Sequence, residues 1–508
     1  MVLFIISAVI VLCALGVGLY LAINFIRNIV PPVPFIPLLK RLAIIMGVFT
    51  LSFASMMISI YLWGNIHPTA YELVAAIIGG LCTGSFGFTC LFSFLIHYYG
   101  KGETKGISVD ADKWLFRAMI ISFPLLLASI LFLTEGYAAH VTYPLVNGLN
   151  FSKGFVNPES GYGTNIAFYA LCILSGAIYV YFICDHKFYQ QYGKHGILES
   201  TFLVAFPAGI IGARLFYVIG NWNVEFATAE NPFLEAINIT KGGLTILGGA
   251  ITGIVIGVGW FLWRNKGYSI WIAVDIIVPT ILIAQAVGRW GNFFNCEVHG
   301  VLSPISSWQW LPRFIWENAR YSSTNGWAPD GQLWVPLFLV ECITNLAGYF
   351  VIAYLFGKLL RKHTALGDLA LGYVVWYGLT RVLMEPLRDT SFNMGKDGYW
   401  SWIWSLVFVI GGALLIALNH LIRYLLKPRN VNQKQYIIGS IATGVSALAL
   451  LIPGIILMAT SKFEQNLVLN QFNWGLIILS LGISILFGLV ITIPPLFIKK
   501  KEQTVADA

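Results

Sequence analysis

The residues best suited to chemistry lie in one run near the middle of the chain, residues 288–297. Directly after a long apolar segment, this run contains an arginine, two asparagines and a carboxylate, namely Arg289, Asn292, Asn295 and Glu297. An arginine within hydrocarbon costs about 3 kcal/mol or more, so it is usually retained there for a function. His299 and Gly300 complete the run, which is therefore difficult to explain by packing alone.

Three other segments place polar side chains at the outward ends of predicted membrane spans. They contribute Tyr169 from the first segment, Arg214 and Asn221 from the second, and Arg381, Glu385 and Arg388 from the third. The last three residues follow each other at intervals of four and three positions, so their side chains share one helix face. Arg289 and Asn292 are likewise three positions apart and share a face of their own helix.

Clustered guanidinium groups predict a phosphate-binding site. They donate forked, charge-assisted hydrogen bonds that match phosphate oxygen atoms. At the edge of a bilayer, the phosphate of a phospholipid headgroup is the obvious ligand. The alternative is that the arginines and carboxylates form ion pairs that hold a helical bundle together. The convergence of four separate segments on one side of the membrane favours the phosphate site.

The composition identifies an integral membrane protein. Of the 508 residues, 57% are hydrophobic and 11% are charged, and the mean hydropathy is +0.76, which excludes an ordinary soluble globule. About thirteen apolar stretches are long enough, or nearly so, to cross a bilayer. They cover residues 3–25, 42–63, 73–96, 115–133, 166–183, 201–219, 244–262, 272–287, 337–356, 369–384, 403–418, 437–458 and 474–497. The predicted fold class is all-α, a polytopic membrane helical bundle.

Polar segments divide these spans into three blocks. Residues 1–140 are predicted to form a four-span N-terminal extension, and residues 430–508 a two-span C-terminal extension. Between them, residues 160–425 form a seven-span core that holds nearly all the polar residues within the membrane. No internal repeat is present in the sequence, which argues against a transporter built from duplicated halves.

The positive charges predict the orientation of the chain. The net charge is +8, and most of the 31 lysines and arginines fall on one side of the membrane if the N-terminus is outside. The positive-inside rule then predicts an outside N-terminus and a cytoplasmic C-terminus. Because these charges are topology signals in short loops, no nucleic-acid partner is predicted. The first stretch lacks a basic n-region and a cleavage site, so we expect it to remain as a span.

Two further features of the sequence have more than one interpretation. The outer loop 301–335 is rich in aromatic residues, and it forms either an interfacial belt or a surface that helps lipid or peptide reach the site. The glycine-rich run 242–249 lacks the strand and the Lys-Ser/Thr pair of a P-loop, so we expect it to allow close helix packing. The seven cysteines have no metal-ligand spacing, and no metal or organic cofactor is predicted.

At this point the residues resemble a known family, the prolipoprotein diacylglyceryl transferases. The resemblance rests first on the pattern Gly288-Arg289-x-Gly291-Asn292-Phe293-x-Asn295-x-Glu297-x-x-Gly300. In the same order as in the family, the chain also contains Phe168-Tyr169-Ala170-Leu171, Gly212-Ala213-Arg214-Leu215, Gly242-Gly243-Leu244 with Gly248-Gly249, and Arg381-x-x-x-Glu385-x-x-Arg388. Leu311-Pro312-Arg313-Phe314-Ile315 and Pro336-Leu337-Phe338-Leu339-Val340-Glu341 are similar to segments of Gram-positive members. The resemblance covers residues 165–425, roughly half of the chain.

The resemblance implies a seven-span enzyme of the bacterial cytoplasmic membrane. Such an enzyme transfers a diacylglyceryl group from phosphatidylglycerol to the lipobox cysteine thiol of a prolipoprotein, and glycerol phosphate leaves. This transfer is the first step of bacterial lipoprotein maturation. The implied partners are therefore phosphatidylglycerol, prolipoprotein signal peptides with a lipobox cysteine, and the lipid bilayer.

The predicted roles follow from this reaction, in which the nucleophile belongs to the peptide substrate. Fixed donors aimed at the departing phosphate should contribute most to the rate. We assign Arg289 and Arg381 to that task, and Asn292, Asn295, Gly300, Arg214 and Arg388 to binding or supporting the headgroup. The thiol reacts as a thiolate, so a general base would help. The candidate bases are Tyr169, Glu297, Glu385 and His299.

Departures from the family pattern leave a second function open. Family members carry a histidine at the position of Leu247, and a histidine and a tyrosine at those of Val335 and Val340. Leucine cannot carry a proton, so if the family histidine is the base, another residue replaces it here or turnover is impaired. The alternative is therefore a catalytically impaired phospholipid-binding or transport protein on the same scaffold.

Overall fold

The computed structural model describes most of the chain beyond residue 142. The described residues are 143–145, 147–150, 152–161, 163–194, 196–227, 231–237, 243, 245–311, 313–389, 399–428, 431–462 and 470–497. The four spans predicted in residues 1–140 lie outside this part, so the total of about thirteen spans remains a prediction.

The described residues are mostly helical. The helices are α1 (Phe168–Tyr192), α2 (Glu199–Asn221), α3 (Pro232–Ile237), α4 (Ile246–Arg264), α5 (Ile270–Asn295), α6 (Arg313–Asn318), α7 (Leu337–Tyr349), α8 (Asp368–Met384), α9 (Tyr399–Leu426), α10 (Gln433–Thr460), α11 (Gln471–Leu486), α12 (Gly488–Thr492) and α13 (Pro494–Phe497). Wider π-helical turns extend α2 over Trp222–Phe226 and α7 over Phe350–Leu359.

Seven helical segments in this part of the chain are long and apolar enough to cross a membrane. They are Phe168–Tyr192, Glu199–Phe226, Ile270–Asn295, Leu337–Leu359, Trp400–Leu426, Gln433–Thr460 and Gln471–Phe497. Each coincides with one of the nine spans predicted here. The other two predicted spans are the shorter helices α4 and α8, so all nine are confirmed as helices.

Short strands lie between the helices. They are β1 (Gly148–Asn150), β2 (Gly154–Val156), β3 (Ile166–Ala167), β4 (Leu302–Pro304), β5 (Tyr321–Ser322), β6 (Gly326–Trp327) and β7 (Gln332–Trp334). The first three form an antiparallel sheet in the order β2-β1-β3 directly before α1, with Leu149 opposite Phe155 and Ile166. In the loop between α5 and α7, β4 pairs with β7 and β5 pairs with β6, so this predicted outer loop has regular structure.

The chain divides into two compact units. Within the described residues, the first contains 143–145, 185–194, 196–200, 308–311 and 313–318. In this unit, Asp185 accepts a hydrogen bond from the backbone nitrogen of Gly196, and the amide oxygen of Asn318 accepts one from Leu145. The second unit contains 147–184, 201–307 and 319–497, apart from the gaps given above, and it holds the candidate site.

Helices α8 and α9 pack closely because glycines face the neighbouring backbone. A Cβ atom on Gly378 of α8 would lie 2.6 Å from the carbonyl oxygen of Ser405, and one on Gly412 of α9 would lie 2.7 Å from a side-chain methyl of Val375. Lipid-embedded helices associate without a hydrophobic driving force, so close van der Waals approach of this kind stabilises the pair.

The beginning of α8 is held by two carboxylates. Asp275 of α5 accepts hydrogen bonds from the backbone nitrogens of Gly367, at 2.7 Å, and Ala370, at 3.1 Å. Asp368, the first residue of α8, pairs with the Nε2 atom of His420 on α9 at 2.6 Å. Carboxylates at a helix N-terminus bind its unpaired N–H groups and complement its dipole. Three helices are therefore tied together at the end of α8 opposite to Arg381.

Replacing Gly378 with alanine should separate α8 from α9 and destabilise the fold. We expect Gly378→Ala to lower the free energy of unfolding by about 1–3 kcal/mol, because the new methyl group meets backbone. Gly411→Ala on α9 is the matched control, since a Cβ there has no neighbour within 4 Å. Thermal unfolding in detergent measures both variants, and an equal shift in Tm would contradict the close approach.

Candidate functional site

A single buried carboxylate, that of Glu341 on α7, lies at the centre of the candidate site. Its side chain is 5% exposed and forms ion pairs with three arginines. Arg289, in the last two turns of α5, pairs through its Nε atom. The Nη1 atom of Arg381 on α8 lies 3.4 Å from Oε1, and the Nη2 atom of Arg388 lies 3.7 Å from the same oxygen. Three segments that are distant in the sequence therefore meet at one carboxylate.

A second carboxylate, that of Glu385, is buried beside Arg381. Its Oε2 atom lies 3.6 Å from Nη1 of Arg381, and its side chain is 1% exposed. Neither carboxylate oxygen has a hydrogen-bond partner among the described residues. Buried charged groups usually form hydrogen bonds as well as ion pairs, so this carboxylate is available to a further donor.

Three guanidinium groups converge on two buried carboxylates. Arg289, Arg381 and Arg388 pair with Glu341, and Arg381 also pairs with Glu385. Burial, followed by repulsion from Arg381, lowers the pKa of Arg388 to about 10, which leaves this arginine charged at neutral pH. Its Nε atom is buried and has no hydrogen-bond partner among the described residues. An anion could accept that hydrogen bond and pair with the guanidinium groups.

A chain of hydrogen bonds links Arg289 to the end of α5. The Nη1 atom of Arg289 donates to the amide oxygen of Asn292 at 3.2 Å. The Nδ2 atoms of Asn292 and Asn295 then donate to Oε1 of Glu297, at 3.1 and 3.3 Å. Burial raises the pKa of Glu297, and the two amide hydrogen bonds partly offset this effect. The four polar residues within residues 288–297, called the signature run from here on, therefore form one connected network.

The backbone after α5 reverses sharply to bring Glu297 back over the helix end. Cys296 has φ of 50° and Val298 has φ of 56°, both in the left-handed region. This conformation is rare for a β-branched residue such as Val298, so the surrounding structure must hold it in place. The backbone nitrogen of Ser323 donates to the carbonyl oxygen of Cys296 at 2.9 Å, and that of Glu297 donates to Asn292 at 3.1 Å.

Gly300 joins this loop to the segment that carries Arg388. Its backbone nitrogen donates to Val335 at 2.8 Å, and the residue forms a β-bridge with Arg388. The backbone nitrogen of Val301 donates to Leu387 at 3.0 Å. A Cβ atom on Gly300 would lie 2.7 Å from both the Leu387 carbonyl oxygen and the Val335 side chain, so only glycine fits. The loop thereby fixes the backbone at Arg388 relative to α5.

Tyr169 and His299, two of the candidate bases, have different surroundings. Tyr169 at the start of α1 packs against the signature run, because a Cβ atom on Gly291 would lie 2.4 Å from its ring. His299 is 7% exposed and uses both ring nitrogens, Nδ1 with the carbonyl of Gly300 at 3.0 Å and Nε2 with the hydroxyl of Ser322 at 2.6 Å. A proton acceptor needs a free nitrogen, so the geometry of His299 suits a residue that holds the loop.

The guanidinium group of Arg214 donates hydrogen bonds to three backbone carbonyl groups. Its Nε atom donates to the carbonyl of Ala236 at 2.8 Å, Nη2 to the backbone carbonyl of Glu235 at 2.7 Å, and Nη1 to that of Gly243 at 3.1 Å. The guanidinium also lies 5.4 Å from the ring centre of Phe226. Arg214 therefore fixes the segment between α2 and α4. Asn221, also on α2, donates to a carbonyl of its own helix, that of Tyr217.

Two residues at the site were not among the predicted site residues. Glu341 was quoted only as part of the resemblance, although a carboxylate in an apolar helix is itself a signal of function. Tyr377 lies one turn before Arg381, whose guanidinium is 5.9 Å from the tyrosine ring centre. Within the described ranges, no group of three His, Cys, Asp or Glu side chains could hold a metal ion.

The aromatic loop between α5 and α7 combines buried and exposed rings. In the second unit, Trp334 is 8% exposed and its ring centre lies 4.6 Å from that of His299. Trp327 is 43% exposed and donates to a carboxylate oxygen of Glu159 at 2.8 Å. In the first unit, Trp310 is 74% exposed. Both interpretations of this loop therefore remain predictions.

Comparisons with known proteins agree with the resemblance drawn from the motifs. The family model described as prolipoprotein diacylglyceryl transferase matches residues 161–418. A phosphatidylglycerol--prolipoprotein diacylglyceryl transferase of Streptococcus suis is 32% identical over 254 residues, which is 50% of this chain and 88% of the relative. Relatives with the same name from Clostridium novyi (34% over 255 residues, 50% of this chain and 92% of the relative) and Streptococcus agalactiae (32% over 252 residues, 50% and 91%) are similar.

Removing the central carboxylate should destabilise the protein strongly. Glu341→Gln leaves three guanidinium groups, one buried and two half-buried, with less compensation, and loss of one partner of a buried ion pair costs about 3–5 kcal/mol. Glu225→Gln is the control, because Glu225 is exposed and its carboxylate accepts an exposed hydrogen bond from the hydroxyl of Tyr217 at 2.7 Å, and exposed charged groups of this kind contribute about 0–1 kcal/mol. Thermal unfolding should show a large loss for the first variant only, and similar Tm values would contradict the central role of Glu341.

Acidification should weaken the loop that His299 holds. Burial lowers the pKa of His299 below its ordinary value of 6.5. The unfolded state therefore binds the proton first, and the free energy of unfolding falls as pH drops from 6.5 towards the lower folded pKa. We expect His299→Gln to lose part of the Tm decrease that the wild type shows between pH 7.5 and 5.5. The exposed His363→Gln should keep the full decrease, and identical profiles for the two variants would refute this assignment.

Proposed function

The chain belongs to the prolipoprotein diacylglyceryl transferase family, and from this premise we propose that it transfers a diacylglyceryl group from phosphatidylglycerol to the lipobox cysteine of prolipoproteins. The observation that carries the proposal is the convergence of three guanidinium groups on Glu341, with a buried Nε atom of Arg388 that has no hydrogen-bond partner among the described residues. A phosphodiester headgroup has one negative charge and suits guanidinium donors. The family resemblance names the reaction, and the converging arginines support the substrate.

The reaction is a displacement at the glycerol carbon that carries the phosphate. The sulfur of the peptide thiolate forms a bond with this carbon, the carbon–oxygen bond to phosphate breaks, and glycerol phosphate leaves with the electron pair. Negative charge accumulates on the departing phosphate, where Arg289 and Arg381 stabilise it. Arg388 contributes the buried Nε donor, which has no partner among the described residues. Asn292 and Asn295 hold Glu297 and so define the edge of the headgroup site.

Glu297 is the general base that the geometry supports best. Its raised pKa brings it closer to that of a thiol, which favours proton transfer at neutral pH. Asn292 and Asn295 both donate to Oε1 and thereby fix the orientation of the carboxylate. His299 uses both ring nitrogens, and the Glu385 carboxylate forms an ion pair with Arg381. Tyr169 remains near the network as a candidate for orienting the thiol.

Leu247 does not prevent this mechanism, because the base comes from another segment. The residue lies in the first turn of α4, which begins at Ile246. The second candidate function, a catalytically impaired phospholipid-binding or transport protein on the same scaffold, rests chiefly on this leucine, which cannot carry a proton. In both cases the site is expected to face the outer leaflet of a bacterial cytoplasmic membrane, with the C-terminus in the cytoplasm. Residues 160–425 form the transferase core in this proposal.

A transfer assay distinguishes the two functions. Purified protein in micelles that contain phosphatidylglycerol is incubated with a lipobox peptide, and the peptide mass is followed. We expect the wild type to add one diacylglyceryl group, and Arg289→Ala to lose at least 100-fold in rate, about 3 kcal/mol of transition-state stabilisation. Arg313→Ala, at a residue whose side chain is 63% exposed, is the control and should retain activity.

The Leu247→His variant separates the remaining outcomes. Activity in the wild type shows that Leu247 is tolerated, and a Glu297→Gln variant then tests the proposed base through its pH–rate profile. A silent wild type that gains activity as Leu247→His would establish the binding protein without turnover. Silence in every variant, with phosphatidylglycerol still bound, would refute the transferase.

A further inference from the structure

The last turn of α8 contains a backbone carbonyl that its own helix cannot pair. In an α-helix the carbonyl of residue i accepts a hydrogen bond from the backbone nitrogen of residue i+4. For Val382 this residue is Pro386, which has no N–H group. Helix α8 ends at Met384, and Glu385, with φ of −57° and ψ of −40°, begins a 3-10 turn over Glu385–Leu387 that continues it through Pro386. Val382 is 1% exposed, and an unpaired carbonyl at this depth is costly.

A side chain from α9 takes the place of the missing donor. The indole Nε1 atom of Trp402 donates to the carbonyl oxygen of Val382 at 3.0 Å. Trp402 is completely buried, with 0% of its surface exposed. A buried tryptophan normally needs a hydrogen-bond partner, and the proline supplies one by leaving this carbonyl free. Trp402 therefore supplies the hydrogen-bond donor that Pro386 lacks, and the Val382 carbonyl is the acceptor that the buried indole needs.

This hydrogen bond lies within the candidate site's own turn of helix. Val382 directly follows Arg381, and Glu385 comes three residues later on the same turn. Arg381 pairs with both Glu341 and Glu385. A shift of the Val382 carbonyl would displace Arg381 and Glu385 together, because Val382 lies between them and Glu385 begins the 3-10 turn that continues α8. Catalytic geometry is sensitive to displacements of about 1 Å.

The C-terminal helices complete the burial of this contact. Ile477 of α11 is 3% exposed and packs in one cluster with Val382, Trp402 and Leu406. The family match ends at residue 418, so Ile477 comes from the part of the chain beyond it. Helix α11 is in turn held against α10, where a Cβ atom on Gly454 would lie 3.0 Å from the carbonyl oxygen of Gly475. The C-terminal extension thus contributes directly to the surroundings of the Arg381 turn.

We propose that Trp402 is a positioning residue that replaces the backbone donor lost at Pro386, and that Ile477 gives the C-terminal extension the same positioning role. Trp402 acts through the Val382 carbonyl and touches no substrate. It keeps the last turn of α8 regular so that Arg381 and Glu385 face Glu341 and the headgroup. The expected effect on turnover rests on the proposed transferase function. The expected effect on the helix does not.

The experiment compares Trp402→Phe with the double variant Trp402→Phe/Pro386→Ala. Phenylalanine retains most of the ring but removes the donor, and alanine at position 386 restores a backbone N–H that the Val382 carbonyl can accept. We expect Trp402→Phe to lower kcat about tenfold, with KM for phosphatidylglycerol changed much less, as one buried hydrogen bond predicts. The double variant should recover most of the loss. Trp404→Phe, on the same helix but 59% exposed, is the matched control.

Hydrogen–deuterium exchange provides a readout that does not need turnover. We expect the backbone amides of residues 383–389 to exchange faster in Trp402→Phe, and to return to the wild-type rate in the double variant. If the wild type transfers nothing but this rescue occurs, the proposed function fails and the positioning role stands. If Trp402→Phe behaves as the wild type in both readouts, or if Pro386→Ala rescues neither, the positioning role is overturned.

A second substitution tests the C-terminal extension in the full-length chain. Ile477→Ala should quicken exchange at residues 383–389 and lower kcat, because it opens a cavity beside Trp402. Ile485→Ala, at a residue of the same helix that is 36% exposed, should change neither. Thermal unfolding confirms that both variants are folded. An unchanged exchange rate in folded Ile477→Ala would contradict the positioning role of the C-terminal extension. The role of Trp402 would then be decided by the Trp402→Phe variants.

Discussion

The structure around the candidate site depends on one buried carboxylate. Three guanidinium groups cannot stay together in a medium of low dielectric constant unless an opposite charge lies between them. Glu341 provides that charge, and in doing so it ties α7 to α5 and to the end of α8. In the same cluster, the buried Nε atom of Arg388 has no hydrogen-bond partner among the described residues.

The remaining contacts hold these three segments at the distance that the carboxylate requires. Glycine is needed where backbones meet, at Gly291 against Tyr169 and at Gly300 between Val335 and Leu387. The left-handed turn at Cys296 and Val298 returns the chain over α5, so that Glu297 joins the network of Asn292. Among the described residues, the left-handed backbone of non-glycine residues therefore occurs where these polar groups converge.

Helix α8 is fixed at both ends by hydrogen bonds from other helices. Asp275 binds the backbone nitrogens at its beginning, and Trp402 binds a carbonyl in its last turn. Helix ends leave backbone groups unpaired, and within a membrane water does not satisfy them. The two contacts therefore determine both the position and the rotation of α8, and with them the direction of Arg381. Through Ile477, part of this support comes from outside the segment that matches the family.

Hydropathy and the local spacing of polar residues were sufficient to predict the helices among the described residues and the polar run of residues 288–297. The spans among the described residues were predictable because burial in lipid requires long apolar helices, and the signature run was visible because charged residues within such helices are rare. The prediction that Arg381, Glu385 and Arg388 share one helix face was wrong for Arg388, because α8 ends at Met384 and Arg388 has an extended backbone that follows a 3-10 turn. Only the tertiary structure decided that Glu341 joins them to Arg289, that Arg214 binds backbone elsewhere, and that His299 uses both nitrogens to hold a loop. These outcomes depend on pairs of residues far apart in the chain, and local spacing contains no information on which helix faces another.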